Sequence, residues 1–185
     1  VNSLRLDVNF IVVSDHGMTS IDVENTLSMP TVIDKSQFIY TGGDAIIELY
    51  AKDNKDILPA YNKLKQQEKN FTAYLKEDLP EHLVYSLNED RFNRIGDIVL
   101  LSHHPYIFNF SERKPDPGYH GFDPGAVKDM QTIFYAWGPA FKKNKVLPSL
   151  KIVDVYPLIA RILKLNYEHE IDGNIVNIVK ILRSD

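Results

Sequence analysis

Short apolar runs and stretches of one-sided apolar spacing follow one another along the chain, and this pattern predicts a mixture of strands and helices. The first run, residues 10–13, is rich in β-branched residues and is typical of a strand buried on both faces. Further strands are predicted over residues 37–41, 45–51, 71–76, 98–101, 106–110 and 132–139. Helices are predicted over residues 56–69, 154–165 and 174–182. This mixed order predicts an α/β fold.

Turns and caps complete this pattern. A turn at 42–44 predicts a hairpin between two of the strands, and Asp56 and Asp154 stand where N-cap residues are expected. Residues 20–36 are typical of a long loop at a functional edge. Residues 113–129 are so dense in Pro and Gly that we expect an irregular backbone there.

Asp15 and His16 directly follow the first predicted strand and are candidate metal ligands. In an open α/β sheet, ligands bind beyond the carboxyl ends of the strands. Neighbouring residues on a regular strand point to opposite faces, so both can reach one ion only if the chain turns, which Gly17 permits. A carboxylate oxygen and an imidazole nitrogen are ordinary zinc ligands. The alternative is that Asp15 caps the following turn and His16 is a hydrogen-bonded loop histidine.

His120 is the next candidate ligand. Gly118 and Gly121 stand on either side of it and allow the backbone to approach a ligand closely. The alternative is an exposed loop histidine. The pair at 103–104 is a rival site, for which a surface ledge is the simpler explanation, and His82 is interpreted, like His169, as an ordinary histidine in polar surroundings.

Composition excludes several classes of function. The 185 residues are 44% hydrophobic and 25% charged, as is usual for a folded globular protein. A net charge of -4 gives no support for a nucleic-acid duplex as partner. With no cysteine, disulfides, thiolate metal sites and a cysteine nucleophile are excluded. No apolar segment is long enough to cross a bilayer, and the pattern gives no oligomeric state.

Six segments resemble, in order and spacing, the carboxyl half of the type I phosphodiesterase/nucleotide pyrophosphatase family, a branch of the alkaline phosphatase superfamily. They are Asp15-His16-Gly17-Met18, Asn88-Glu89-Asp90-Arg91-Phe92-Asn93-Arg94-Ile95-Gly96-Asp97, Tyr119-His120-Gly121-Phe122-Asp123, Trp137-Gly138-Pro139-Ala140-Phe141, Asp154-Val155-Tyr156-Pro157-Leu158-Ile159 and Ile171-Asp172-Gly173-Asn174. The Asp-His-Gly triplet also occurs in cofactor-independent phosphoglycerate mutases, so the resemblance depends on the six segments together. It implies that residues 1–185 are the carboxyl-terminal part of one domain, with a mostly parallel sheet, flanking helices and a small inserted subdomain.

The resemblance further implies two Zn²⁺ ions and phosphoryl transfer through a covalent intermediate. Positions matching Asp15 and His16 hold the zinc that binds a threonine nucleophile, and the position matching His120 holds the other. Two cations about 3.5–4 Å apart can stabilise the attacking and the leaving oxygen of an in-line displacement. Asp123 is a candidate hydrogen-bond partner of His120 behind the metal. The neighbouring aromatic residues are candidate substrate contacts, with simple packing as the alternative: Tyr119 and Phe122.

We therefore expect a zinc-dependent hydrolase of phosphodiester or pyrophosphate bonds that acts on a small phosphodiester or nucleotide. The nucleophile and the remaining ligands belong to the family's amino half, and neither Thr19 nor Thr26 stands in the matching context, so we expect a fragment that is inactive alone. The alternatives are a phosphomonoesterase or another phosphate or sulfate ester hydrolase, and a non-catalytic binding module with a decayed site. For a member of this family, the Lys, Asn and Ile content without Cys favours a bacterial origin. Because members of the family are mostly exported, the resemblance further implies a protein of the periplasm or cell surface, or a secreted one.

Overall fold

The computed structural model describes residues 6–85, 90 and 92–183. They form two compact units. One unit contains the described residues up to Asp15 together with those from Thr132 onward, and the other is His16–Gln131. Asn88 and Arg91, which belong to one of the six motif segments, lie outside the described residues.

Strands and helices occur in the predicted order along the described chain. The strands are β1 (Phe10–Val13), β2 (Thr19–Ser20), β3 (Phe38–Gly43), β4 (Ile46–Ala51), β5 (Phe71–Leu75), β6 (Ile98–Ser102), β7 (Gly118–Tyr119) and β8 (Phe134–Trp137). The α-helices are α1 (Ile57–Gln67), α2 (Val155–Leu163) and α3 (Ile175–Ile178). Among these helices, none has the length and apolar character that crossing a membrane requires.

A four-stranded sheet in the order β3-β4-β6-β5 forms the centre of unit His16–Gln131. Strand β6 lies inside the sheet and is buried on both faces, which explains its unbroken apolar run. Ile98 and Leu100 pack in one core with Leu64 of α1, whereas Val99 faces a second cluster on the opposite side. The helix α1 therefore covers one face of the sheet.

The sheet differs from the mostly parallel one that the resemblance implied. All strand pairs in the described part of the chain are antiparallel. Strands β3 and β4 are joined by two residues, Asp44 and Ala45, and so short a connection can only join antiparallel neighbours. Strands β4 and β5, which α1 connects, do run in the same direction, but β6 lies between them.

In the other unit, β1 pairs with β8, and the rings of Phe10 and Trp137 stack with centroids 5.0 Å apart. The prediction that this strand is buried on both faces is wrong for the described residues, since Val12 is 44% and Val13 40% exposed. Adjacent strand residues point to opposite faces: the face of Val12 and Tyr135 is open, and Val13 on the other face is only partly covered.

Helices α2 and α3 are linked by a buried carboxylate. Asp154 is 1% exposed and accepts hydrogen bonds from the Asn174 backbone N–H (2.8 Å) and the Asn177 side-chain amide (3.1 Å). Asp154 stands at the N-cap position of α2 and Asp56 at that of α1, as predicted, but neither side chain makes a capping hydrogen bond.

Two further predictions fail because the segment ends sooner or pairs less than its pattern indicates. The last α-helix ends at Ile178, and a 3-10 helix, Val179–Ile181, follows it. Residues 106–110 form no strand, although Phe108 makes isolated bridges to Leu27 and Asp44. The spacing of apolar residues alone therefore overestimates how regular these segments are.

Candidate metal centre

A short antiparallel ladder brings two of the candidate ligands together. Strand β2 begins three residues after His16, and β7 ends immediately before His120; in this ladder Thr19 is opposite Tyr119. In an antiparallel pair, residues before one strand lie at the same end as residues after the other. The imidazole rings of His16 and His120 accordingly stack, with centroids 3.7 Å apart and planes 12° from parallel.

Gly17 is required for close packing at this point. Its backbone N–H donates to the Met130 carbonyl at 3.0 Å. A Cβ added to Gly17 would lie 1.8 Å from the carbonyl oxygen of Asp129 and 2.6 Å from that of Gln131. The sequence predicted a glycine that permits a turn, and the structure shows in addition that no larger residue fits.

The ring of His16 has a defined tautomer. Its Nδ1 lies 2.8 Å from the carbonyl oxygen of Gly17. A carbonyl oxygen only accepts hydrogen bonds, so Nδ1 carries the hydrogen and Nε2 carries the lone pair of the neutral ring. An imidazole held in this way is typical of metal-binding histidines, whose second nitrogen usually donates to a fixed acceptor.

The full ligand set stays a prediction. Asp15 is exposed and is the last residue of its unit, directly before His16 in the chain. Within the described ranges, no group of three or more His, Asp or Glu side chains is arranged to hold a metal ion. The donor types present, imidazole and carboxylate, suit zinc, but the described residues alone do not complete a coordination shell.

The residues around His120 have different environments. Phe122 is 5% exposed and packs in a core cluster with Ile21 and Met130, which agrees with the packing alternative and not with a surface that substrate reaches. Tyr119 is half-buried. Burial, and then the nearby Asp44 carboxylate, raise the pKa of the Tyr119 phenol.

Asp123 has a partner that the sequence did not indicate. Its two carboxylate oxygens lie 2.9 and 3.0 Å from Nε2 of His82, and it accepts a 2.7 Å hydrogen bond from the Gly125 backbone N–H. His82, although its side chain is 54% exposed, is therefore a hydrogen-bond partner of the loop that contains His120. The predicted contact between Asp123 and His120 stays a prediction.

The rival histidine pair divides between two places. His103 Nε2 is 2.8 Å from the Thr72 hydroxyl on the four-stranded sheet. His104 Nε2 is 3.2 Å from the Thr19 hydroxyl and 2.9 Å from the Ser20 carbonyl oxygen. His104 therefore contacts β2, close in sequence to His16, which no local pattern indicated.

Taken alone, the structure defines an α/β protein with two imidazoles stacked beside a short ladder. Sequence comparison defines the family. The profile described as "Type I phosphodiesterase / nucleotide pyrophosphatase" matches residues 2–124, and the chain belongs to this family, within the alkaline phosphatase superfamily.

Individual relatives agree with this assignment. Human bis(5'-adenosyl)-triphosphatase ENPP4 is 31% identical over 159 residues, which is 86% of this chain and 34% of the relative. Human ectonucleotide pyrophosphatase/phosphodiesterase family member 5 is 31% identical over 180 residues, 96% of this chain and 36% of the relative. The chain thus spans about a third of the length of these curated relatives.

Solved structures give the same result. Murine ENPP5 matches with a TM-score of 0.83 at 28% identity, covering 98% of this chain and 47% of that one. An inactive variant of murine ENPP5 in complex with AMP matches with a TM-score of 0.80 at 28% identity, covering 95% and 45%. These relatives are animal proteins, so they give no support to the expected bacterial origin.

Proposed function

We propose that this chain contributes to a zinc-dependent hydrolase of phosphodiester or pyrophosphate bonds, with Asp15 and His16 as ligands of one zinc ion and His120 as a ligand of a second. The family assignment supports the type of reaction. The assignment of particular residues follows the motif match, in which Asp15-His16 and His120 stand at the family's metal-binding positions.

The observation that carries this proposal is the near-parallel stacking of His16 and His120. An imidazole binds a metal ion through a lone pair in the plane of its ring. The two ring planes are only 12° from parallel and the ring centroids are 3.7 Å apart. The planes therefore intersect much farther from the rings than the length of a zinc–nitrogen bond, which is about 2.0–2.1 Å. In this orientation the two rings suit two neighbouring ions and not a single shared one.

When bound, two zinc ions would supply positive charge to the attacking and leaving oxygens of an in-line displacement at phosphorus. The chain's own residues prepare the ligands. In the neutral ring, the hydrogen bond from His16 Nδ1 to the Gly17 carbonyl leaves the lone pair on Nε2, the nitrogen that would bind the metal ion. Asp123 and His82 join the His120 loop to the turn Glu81–Leu83.

We propose a small nucleotide or another small phosphodiester as the substrate. One relative is named a bis(5'-adenosyl)-triphosphatase, and a structural neighbour was solved with AMP. We also propose an exported protein, either secreted or at the cell surface, because other relatives are named ectonucleotide pyrophosphatase and venom phosphodiesterase.

The test is hydrolysis of bis-p-nitrophenyl phosphate by the protein expressed from its complete coding sequence, with p-nitrophenyl phosphate and p-nitrophenyl sulfate as competing substrate classes. We expect the diester to be the preferred substrate in the presence of zinc. His16→Ala and His120→Ala should each abolish most of the activity, and the matched control His169→Ala, an exposed histidine of the other unit, should not. Preference for the monoester or sulfate would favour the sister chemistries, and no hydrolysis of any of the three would favour a non-catalytic module.

The isolated 185-residue chain is the second arm of that experiment. We propose that it is inactive alone, because the motif match gives only Asp15, His16 and His120 as ligands for two ions, fewer than the three or four protein ligands that each zinc ion takes. Activity of this chain that is lost in His16→Ala would place the nucleophile within these residues and contradict this part of the proposal.

A further inference from the structure

A buried threonine close to His16 is held by two charged or polar side chains from distant segments. Thr19 is 6% exposed, and its hydroxyl donates to Oδ2 of Asp129 at 3.0 Å. Nε2 of His104 lies 3.2 Å from the same hydroxyl and 2.9 Å from the Ser20 carbonyl oxygen. We call Thr19, Asp129 and His104 the Thr19 network.

The hydrogen bonds show that His104 does not serve as a base for the Thr19 hydroxyl. The Ser20 carbonyl can only accept, so His104 Nε2 carries a hydrogen and offers the hydroxyl no lone pair. The Thr19 hydrogen is directed to Asp129. Each member of the network therefore has a hydrogen-bond partner within it, as expected of groups that hold two segments together.

Asp129 also contacts the His16 turn through its backbone. Its carbonyl oxygen occupies the space where a side chain on Gly17 would lie, 1.8 Å from the added Cβ. The next residue, Met130, accepts the Gly17 N–H at 3.0 Å. The same short segment, Lys128–Met130, thus holds the chain at Gly17 by its backbone and at Thr19 by the Asp129 carboxylate.

The network reaches the second histidine as well. The ring of His104 packs edge-on against Phe122, with centroids 5.5 Å apart and planes at 86°. Phe122 is two residues from His120 and lies in the same core cluster as Met130. The segments that carry His16 and His120 therefore both contact the Thr19 network or the residues packed against it.

We propose that Asp129 is a positioning residue for His16. Through the Thr19 hydroxyl and the Gly17 backbone it fixes the peptide whose carbonyl accepts the hydrogen of His16 Nδ1, and so it sets the direction of Nε2. The structural part of this inference is independent of any metal, whereas its consequence for zinc affinity rests on the function proposed above.

The experiment compares Thr19, which hydrogen-bonds His104, with Thr72, which hydrogen-bonds the adjacent histidine of the chain. Thr19→Val removes the bonds to Asp129 and His104, whereas the control Thr72→Val removes the 2.8 Å bond to His103 on the sheet. Asp129→Ala removes the acceptor, and Thr19→Ser restores the hydroxyl. All variants are made in the protein expressed from its complete coding sequence, and urea unfolding verifies that each one folds.

Two readouts are measured. Long-range ¹H–¹⁵N spectra of histidine-labelled, metal-free protein report whether His16 keeps its hydrogen on Nδ1, and competition with a chromophoric chelator gives zinc affinity. Losing a residue that orients a metal ligand costs about 10–100-fold in affinity. We expect that loss, with a mixed His16 tautomer, in Thr19→Val and Asp129→Ala, and values within about twofold of wild type in Thr19→Ser and Thr72→Val.

An unchanged His16 spectrum together with unchanged zinc affinity in both Thr19→Val and Asp129→Ala would overturn the proposal. An equal loss in Thr72→Val would also overturn it, because the effect would then be general destabilisation. If His16→Ala leaves wild-type zinc affinity unchanged, the proposed function fails, and the tautomer spectra of the metal-free variants still decide whether Asp129 positions His16.

Discussion

Replacement of Gly17 by alanine is the most informative single perturbation near the candidate metal centre. The added Cβ would lie 1.8 Å from the Asp129 carbonyl oxygen, so the facing backbone must move by roughly 1.5 Å to reach ordinary van der Waals separation. Backbone atoms cannot rotate away as a flexible side chain can. The movement should break the 3.0 Å hydrogen bond from the Gly17 N–H to Met130.

The expected cost follows from these two effects. Overpacking costs about 1–3 kcal/mol, and a buried donor left without its acceptor costs about 1–3 kcal/mol. The alanine recovers about 0.4–1 kcal/mol by restricting the unfolded chain. We therefore expect the free energy of unfolding to fall by about 2–4 kcal/mol, which at a slope of about 1–3 kcal/mol per molar urea lowers the urea midpoint by roughly 1 M or more.

The matched control is Gly118→Ala in the partner strand of the same ladder. There the added Cβ would lie 3.0 Å from the Met18 sulfur, and the flexible, exposed side chain of Met18 can move away. We expect a change of less than about 1 kcal/mol. If urea unfolding followed by circular dichroism gives the same midpoint for both alanine variants, the close approach of Asp129 to Gly17 does not constrain stability.

Two further predictions concern groups away from the candidate metal centre. Asp154→Ala leaves the Asn174 N–H and the Asn177 amide without their buried acceptor, so we expect the free energy of unfolding to fall by about 2–4 kcal/mol; a urea midpoint equal to that of wild type would contradict this. Burial and the Glu48 carboxylate raise the pKa of Tyr85, so its contribution to stability is complete below its ordinary pKa of about 10 and is lost as the pH rises towards the folded-state value. Urea unfolding above about pH 10 should therefore show stability falling faster in wild type than in Tyr85→Phe, and parallel curves would contradict the assignment.

Local patterns in the sequence were sufficient for most strand and helix positions. The run Ile98–Ser102 is apolar because the strand is internal to a sheet covered on both sides, and apolar content is visible in sequence whatever the direction of the neighbouring strands. That direction is not visible, which is why the expected parallel sheet was replaced by antiparallel pairs in the described residues. The exposed Val13 shows the same limit, because an apolar strand predicts burial but not what covers it.

The caps and the polar contacts of the site were harder to predict. Asp154 stands at a helix start, yet its carboxylate accepts a hydrogen bond from the Asn174 N–H, twenty residues later, because a buried polar group needs a hydrogen-bond partner. The contacts of Asp123 with His82 and of Thr19 with Asp129 join segments that are distant in sequence. Such pairs depend on how loops pack, whereas His16 and His120 were identifiable because family motifs surround them.

We propose that His16 and His120 bind different zinc ions. The most direct test is the zinc content, after dialysis against buffered free zinc, of wild type, His16→Ala, His120→Ala and the double variant, expressed from the complete coding sequence. We expect loss of one bound zinc ion in each single variant and of both in the double variant. If either single variant loses both ions in a cooperative step, or if the double variant keeps both, the assignment of one histidine to each ion is wrong.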